Sequence, residues 1–67
     1  MISIVLNGAN EQVEAGTTLA AFVETLGGDP RGIAIERNRE IVPKSLHGQV
    51  ILEDGDVLEV VQFVGGG

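Results

Sequence analysis

The stretch Thr17-Thr18-Leu19-Ala20-Ala21-Phe22-Val23-Glu24-Thr25-Leu26-Gly27 decides the fold. Leu19, Phe22, Val23 and Leu26 fall at i, i+3, i+4 and i+7, so a helix carries all four on one face. Thr17 or Thr18 can cap its start by accepting a backbone N–H. Gly27 stands where a left-handed cap ends a helix. No other stretch of the 67 residues has this period convincingly. A lone amphipathic helix must bury its apolar stripe, and the rest of the chain offers only strands to bury it against.

Upstream, Ile2, Ile4 and Leu6 alternate with Ser3, Val5 and Asn7, the period of a strand with one apolar face. Asn7-Gly8 tolerates positive φ at both positions and predicts a tight turn. The chain returns over residues 11–14 with Val13 inward. Downstream, residues 28–32 read as a loop, and Ile33 and Ile35 alternate with Ala34 and Glu36 as a third strand. Asn38-Arg39 makes a second turn. Glu40-Ile41-Val42 is a short fourth strand, stopped by Pro43, which has no N–H for a ladder. Residues 44–48 are irregular, with room for one helical turn. Val50-Ile51-Leu52 leads into the acidic corner Glu53-Asp54-Gly55-Asp56, and residues 57–64 form the last and most apolar strand. Strand, strand, helix, strand, strand, strand is an α+β order. It predicts the ubiquitin-like β-grasp arrangement, a mixed sheet of four to five strands under one main helix. The N-terminal hairpin and the last strand are expected at its centre, first and last strands parallel. With no repeat and no second composition zone, residues 1–64 read as a β-grasp domain and residues 65–67 as a flexible glycine tail.

Composition narrows the function. Ten acidic residues against four basic ones give a net charge of -6. Nucleic-acid binding needs cations to neutralise phosphates. Here Arg31, Arg37, Arg39 and Lys44 are the whole supply, and no tyrosine or tryptophan is present to stack bases. A basic protein partner fits better, because a negative field raises its rate of encounter. The absence of cysteine excludes disulfides, thiolate metal sites and a thiol nucleophile, and suits a reducing cytosol. No apolar run approaches the roughly 20 residues of a membrane span, and the start lacks the basic segment of a secretion signal. A chain this small buries only about 60% of its unfolded surface, which leaves little stability for buried, strained catalytic groups. No catalytic or metal-ligating set emerges. Asp54-Gly55-Asp56 lacks the spacing of a Ca²⁺ loop and reads as a turn. Gly27-Gly28 is a helix exit, not a phosphate loop, and His47 reads as a surface-loop histidine with no partner nucleophile. Residues 36–40 read as a solvated hairpin tip, and Arg37, Arg39 and Lys44 can reach a partner.

The chemistry concentrates at Gly65-Gly66-Gly67. At an average glycine usage of about 7%, three in a row at a chosen place arise roughly once in 3,000 sequences, so the run asks for a reason. A frayed terminus is the plain one. The functional one starts from the missing Cβ: such a tail is slender enough for a narrow channel, and three residues reach at most about 10 Å. The α-carboxyl titrates near about 3.5 and is anionic at neutral pH, hence a poor electrophile. Adenylation by ATP would activate it towards a sulfur or nitrogen nucleophile, and the tail would be a substrate arm, not a catalyst. In the preceding strand Leu58 and Val60 should face the helix. Val61 and Phe63 then lie on the other face beside the tail. They are a candidate docking patch for the activating enzyme, unless they simply pack under the loop of residues 44–50.

Ile35-Glu36-Arg37-Asn38-Arg39-Glu40-Ile41-Val42-Pro43, then Leu52-Glu53-Asp54-Gly55-Asp56-Val57-Leu58-Glu59-Val60-Val61, then Phe63-Val64-Gly65-Gly66-Gly67, resembles the ThiS/MoaD family of sulfur carriers, on its thiamine-pathway side. The resemblance covers nearly the whole chain, and the C-terminal block is its most specific part. It implies that an E1-like, ThiF-type adenylyltransferase activates the Gly67 carboxylate with ATP and Mg²⁺. The family's terminal Gly-Gly maps onto Gly66 and Gly67, Gly65 extends the run by one, and the slender Gly65 and Gly66 would thread the partner's active site. Sulfur from a cysteine desulfurase or sulfur-transfer protein would then give a thiocarboxylate. Thiazole synthase (ThiG) would take that sulfur for the thiazole of thiamine. On this reading the chain is a cytoplasmic cosubstrate, not an enzyme, and binds no cofactor or metal itself. The neighbouring reading is the small subunit of molybdopterin synthase, with the same arm and another acceptor. A shorter chain and the Phe63-Val64 approach to the glycines favour the thiamine side. A ubiquitin-like modifier and a non-carrier β-grasp binding module are the remaining alternatives.

Overall fold

Alternation between apolar and polar residues makes Ile2–Leu6 the first strand, β1. Asn7 at φ 48° and Gly8 at φ 85° then turn the chain tightly back. It returns antiparallel as β2, Ala9–Val13, with Ile2 opposite Val13. The helix α1 runs Leu19–Thr25, and the Thr18 hydroxyl caps it by accepting from the Ala21 amide at 3.1 Å. The computed structural model describes residues 1–27 and 33–62. After the helix come β3, Ile33–Arg37, and the two-residue β4, Glu40–Ile41, joined through Asn38 at φ 51° and Arg39 at φ 72°. A single 3-10 turn follows at Lys44–Leu46, and β5, Val57–Gln62, is the last strand described.

The five strands lie in the order β2-β1-β5-β3-β4. β1 and β5 run parallel, and every other neighbouring pair is antiparallel. The mixed sheet with one helix is therefore as expected. Its centre differs in one respect: β5 is flanked by β1 and β3, whereas β2 of the N-terminal hairpin lies at an edge. Asn10, Glu11 and Gln12 of β2 are exposed, and such polar residues suit an edge strand.

Leu19, Phe22 and Val23 of α1 pack with Ile4, Ile33, Ile35, Leu52 and Leu58 in one buried core. Leu26, expected in that stripe, stands at the helix C-cap and is 38% exposed, because the helix ends one residue before it. Gly27 does take the left-handed conformation, at φ 76°. The segment around Leu52 does not join the sheet. It pairs with the chain leading into α1: the Leu19 amide donates to the Val50 carbonyl at 2.8 Å and the Leu52 amide to that of Thr17 at 2.9 Å.

His47 departs most from the sequence reading. It is buried at 8% exposure, with Nε2 3.0 Å from the Val42 carbonyl oxygen. The 3-10 turn folds it inward, and its own carbonyl accepts from the Ala20 amide at 2.9 Å. Among the described residues, no helix is long and apolar enough to cross a membrane.

Candidate functional site

Strand alternation divides β5 between two environments. Leu58 is fully buried and Val60 packs against the core, while Val57, Glu59 and Val61, all exposed, point to the opposite face of the sheet. Antiparallel register places Ala34 beside Val61 and Glu36 beside Glu59 on that face. Ile41 of β4 lies opposite Glu36, and Val5 of β1 alongside Val57. Val61 is 53% exposed, Val57 44% and Ile41 64%, so this face carries a broad apolar element with two carboxylates inside it. Val61 thus stands on the face the sequence assigned to it. It is more than half exposed, and the 44–50 loop is hydrogen-bonded instead to the start of α1.

Two polar devices hold β5 in place. At its start, Asp56 is buried and accepts from Arg37 Nε at 2.9 Å, from Asn38 Nδ2 at 3.2 Å and from the Glu53 amide at 2.9 Å. The Asn38 carboxamide oxygen accepts from the Val57 amide at 3.0 Å. Arg37 also lies 3.5 Å from Glu53, so it is engaged within the fold and not solvated as the hairpin reading expects. Burial pushes the Asp56 carboxyl up. The Glu53 amide, the Arg37 side chain and the Asn38 amide outweigh that effect and hold it below its ordinary value of 3.8. The flanking Asp54-Gly55 is a turn stitched to β1: Asp54 accepts from the Ser3 amide and the Gly55 amide donates to the Ser3 carbonyl, both at 2.8 Å.

Further along, β1 has ended and a side chain replaces it. Asn7 Oδ1 accepts from the Val60 amide at 2.9 Å, and Asn7 Nδ2 donates to the Val60 carbonyl at 3.4 Å. Neither Asn7 nor the Arg37–Asp56 pair stood out as functional in the sequence. Asn7 carried a turn signal that hid its second role, and Arg37 and Asp56 are 19 positions apart. Together they hold a strand whose last described residue, Gln62, precedes Gly67 by five positions in the sequence. Phe63, Gly65, Gly66 and Gly67, and the expected boundary between body and tail, lie outside the described residues. Among the described residues no group of three or more His, Cys, Asp or Glu side chains is placed to hold a metal ion.

Against known proteins, a model of the ThiS family matches residues 4–67. A thiazole synthase of Paramagnetospirillum magneticum is 48% identical over 66 residues, 98% of this chain but 20% of that protein. The chain therefore spans about a fifth of that relative's length. The sulfur carrier protein ThiS of Escherichia coli is 33% identical over 98% of this chain and 100% of its own length. Among solved structures, the thiamine biosynthesis protein (ThiS) of Geobacter metallireducens superposes with a TM-score of 0.84, covering 98% of this chain and all of that one. At 22% identity, that likeness speaks for the shared β-grasp fold.

Proposed function

Because the chain belongs to the ThiS family, we propose that it is a sulfur carrier of thiamine biosynthesis whose reactive group is the carboxylate of Gly67. The observation that carries this reading is the family match through residue 67, together with end-to-end similarity to a curated sulfur carrier. The body supports it physically. Among the described residues, eight buried side chains form the core against which Leu58 packs, and the two polar devices hold β5 at Asp56–Val57 and at Val60.

The chemistry belongs to partners. A ThiF-like adenylyltransferase, using ATP and Mg²⁺, lets a Gly67 carboxylate oxygen attack the α-phosphorus; pyrophosphate leaves and an acyl-adenylate forms. A sulfur nucleophile, sulfide in the simplest case, attacks the acyl carbon and AMP leaves, so one oxygen is exchanged for one sulfur. In the cell a cysteine desulfurase or sulfur-transfer protein supplies that sulfur, and the thiocarboxylate passes it to thiazole synthase. Similarity to a stretch within two thiazole synthases supports this acceptor. Gly65 and Gly66 present no Cβ to a narrow active site. Val61 and Phe63 dock the activating enzyme. The chain is thus a cytoplasmic cosubstrate and not itself an enzyme.

A genetic experiment tests the pathway. Introduced into a bacterium lacking its own thiamine sulfur carrier, this chain restores growth without thiazole, and the same chain lacking Gly67 does not. Failure of the full chain beside a working control, or rescue of a molybdopterin-synthase defect instead, contradicts the assignment.

A further inference from the structure

We propose that Glu36 and Glu59 act as a pair that receives an arginine of the activating enzyme, at the centre of the docking face on the side of the sheet away from α1. The inference rests on the carrier reading and adds to it the charge that selects the partner. Glu36 and Glu59 are direct cross-strand neighbours between β3 and β5. Like charges in that position destabilise a sheet. In a chain of 67 residues, with little stability to spare, such a pair draws notice. Among the described residues neither carboxylate has an ion-pair partner: Arg37 is turned to Asp56 and Glu53.

The surroundings state what would relieve the repulsion. Val57, Val61 and Ile41, on the same face, are 44%, 53% and 64% exposed. A partner covering them would desolvate the two carboxylates, which demands a countercharge. Guanidinium suits that place better than ammonium. It is planar, weakly hydrated and able to engage two carboxylates through its fork of donors. Arginine is also the charged residue enriched in interfaces whose cores are otherwise apolar. The net charge of -6 steers such a basic surface inward.

The test measures binding of the ThiF-like adenylyltransferase to wild type, E59Q and E36Q/E59Q, at low and high salt, beside thermal melts of the free carriers. Glutamine keeps the shape and removes the repulsion. The double variant should melt no lower than wild type, bind roughly tenfold to hundredfold more weakly, and lose most of the salt dependence. E59Q should fall between. Unchanged affinity in a folded double variant overturns the proposal and leaves the pair as a solubilising feature. A lower melting temperature in the double variant also overturns it, since the pair would then stabilise the fold. If wild type itself neither binds nor is modified, the carrier reading fails first.

Discussion

The side chain of Asn7 pairs with the main chain of Val60 as a strand residue would, accepting from its amide at 2.9 Å and donating to its carbonyl at 3.4 Å. β1 ends at Leu6, so this carboxamide takes over the pairing of β5 two residues beyond the Leu6–Leu58 register. Asn7 also sits at φ 48°, a conformation that asparagine tolerates.

Two substitutions separate its roles. Asn7→Gly keeps the turn and removes the carboxamide. It should lower stability by about 1 kcal/mol, seen as a fall of about 4–8 °C in melting temperature. Asn7→Ala adds backbone strain of about 1–2 kcal/mol and should melt lower still. Hydrogen exchange at the Val60 amide is the decisive readout. It should quicken in both variants, and undiminished protection in Asn7→Gly would show that the carboxamide does not anchor β5.

Asp56 gives the fold a pH dependence of known sign. Its carboxyl is held below 3.8 in the folded protein, so the unfolded chain binds its proton more readily. The stabilisation is present above the ordinary value and is lost as pH falls through the lowered one. Asp56→Asn should reduce stability at pH 7 by about 1–3 kcal/mol. It should also flatten the decline of melting temperature on acidification below pH about 4. Parallel melts of both proteins from pH 7 to pH 2.5 or so check this; curves of equal slope would contradict it.

His47 should behave as a core residue. It is buried, its Nε2 lies 3.0 Å from the Val42 carbonyl oxygen, and its carbonyl receives the Ala20 amide. His47→Ala leaves the Val42 carbonyl without this partner and opens space beneath the 3-10 turn. A loss of about 1–3 kcal/mol in denaturant unfolding is expected. A loss below about 0.3 kcal/mol would mark a surface position instead.

Val61 should matter for binding and little for folding. It is 53% exposed on the face away from α1. Val61→Asp should leave stability within about 0.5 kcal/mol while weakening the complex with the activating enzyme, as should Phe63→Asp. Unaltered affinity in both would remove this face from the interface.

Local signals carried most of the fold. The 3.6-residue period of Leu19, Phe22 and Val23, the Thr18 cap, and the two turns at Asn7-Gly8 and Asn38-Arg39 are all properties of neighbours in sequence, and each is found in the structure. Long-range relations were not legible. Nothing near His47 in sequence shows that its ring reaches the Val42 carbonyl beneath the 3-10 turn. The pairing of Arg37 with Asp56 depends on β3 lying beside β5. β2 lies at an edge because β5 takes the other side of β1, a parallel pairing between Val5 and Val57 that no local signal announces. For the candidate site, alternation alone put Val61 on the outer face. The opposition of Glu36 and Glu59 required the register.

On the carrier reading, Gly67 is the group to which sulfur is transferred. Intact-mass spectrometry tests it most directly, with this chain incubated with a ThiF-like adenylyltransferase, ATP, Mg²⁺ and sulfide. Exchange of oxygen for sulfur should add about 16 Da, located by fragmentation to Gly67, and the chain lacking Gly67 should remain unmodified with an unchanged circular dichroism spectrum. An unchanged mass, with an enzyme that demonstrably adenylates another carrier under the same conditions, would show that Gly67 does not carry the sulfur.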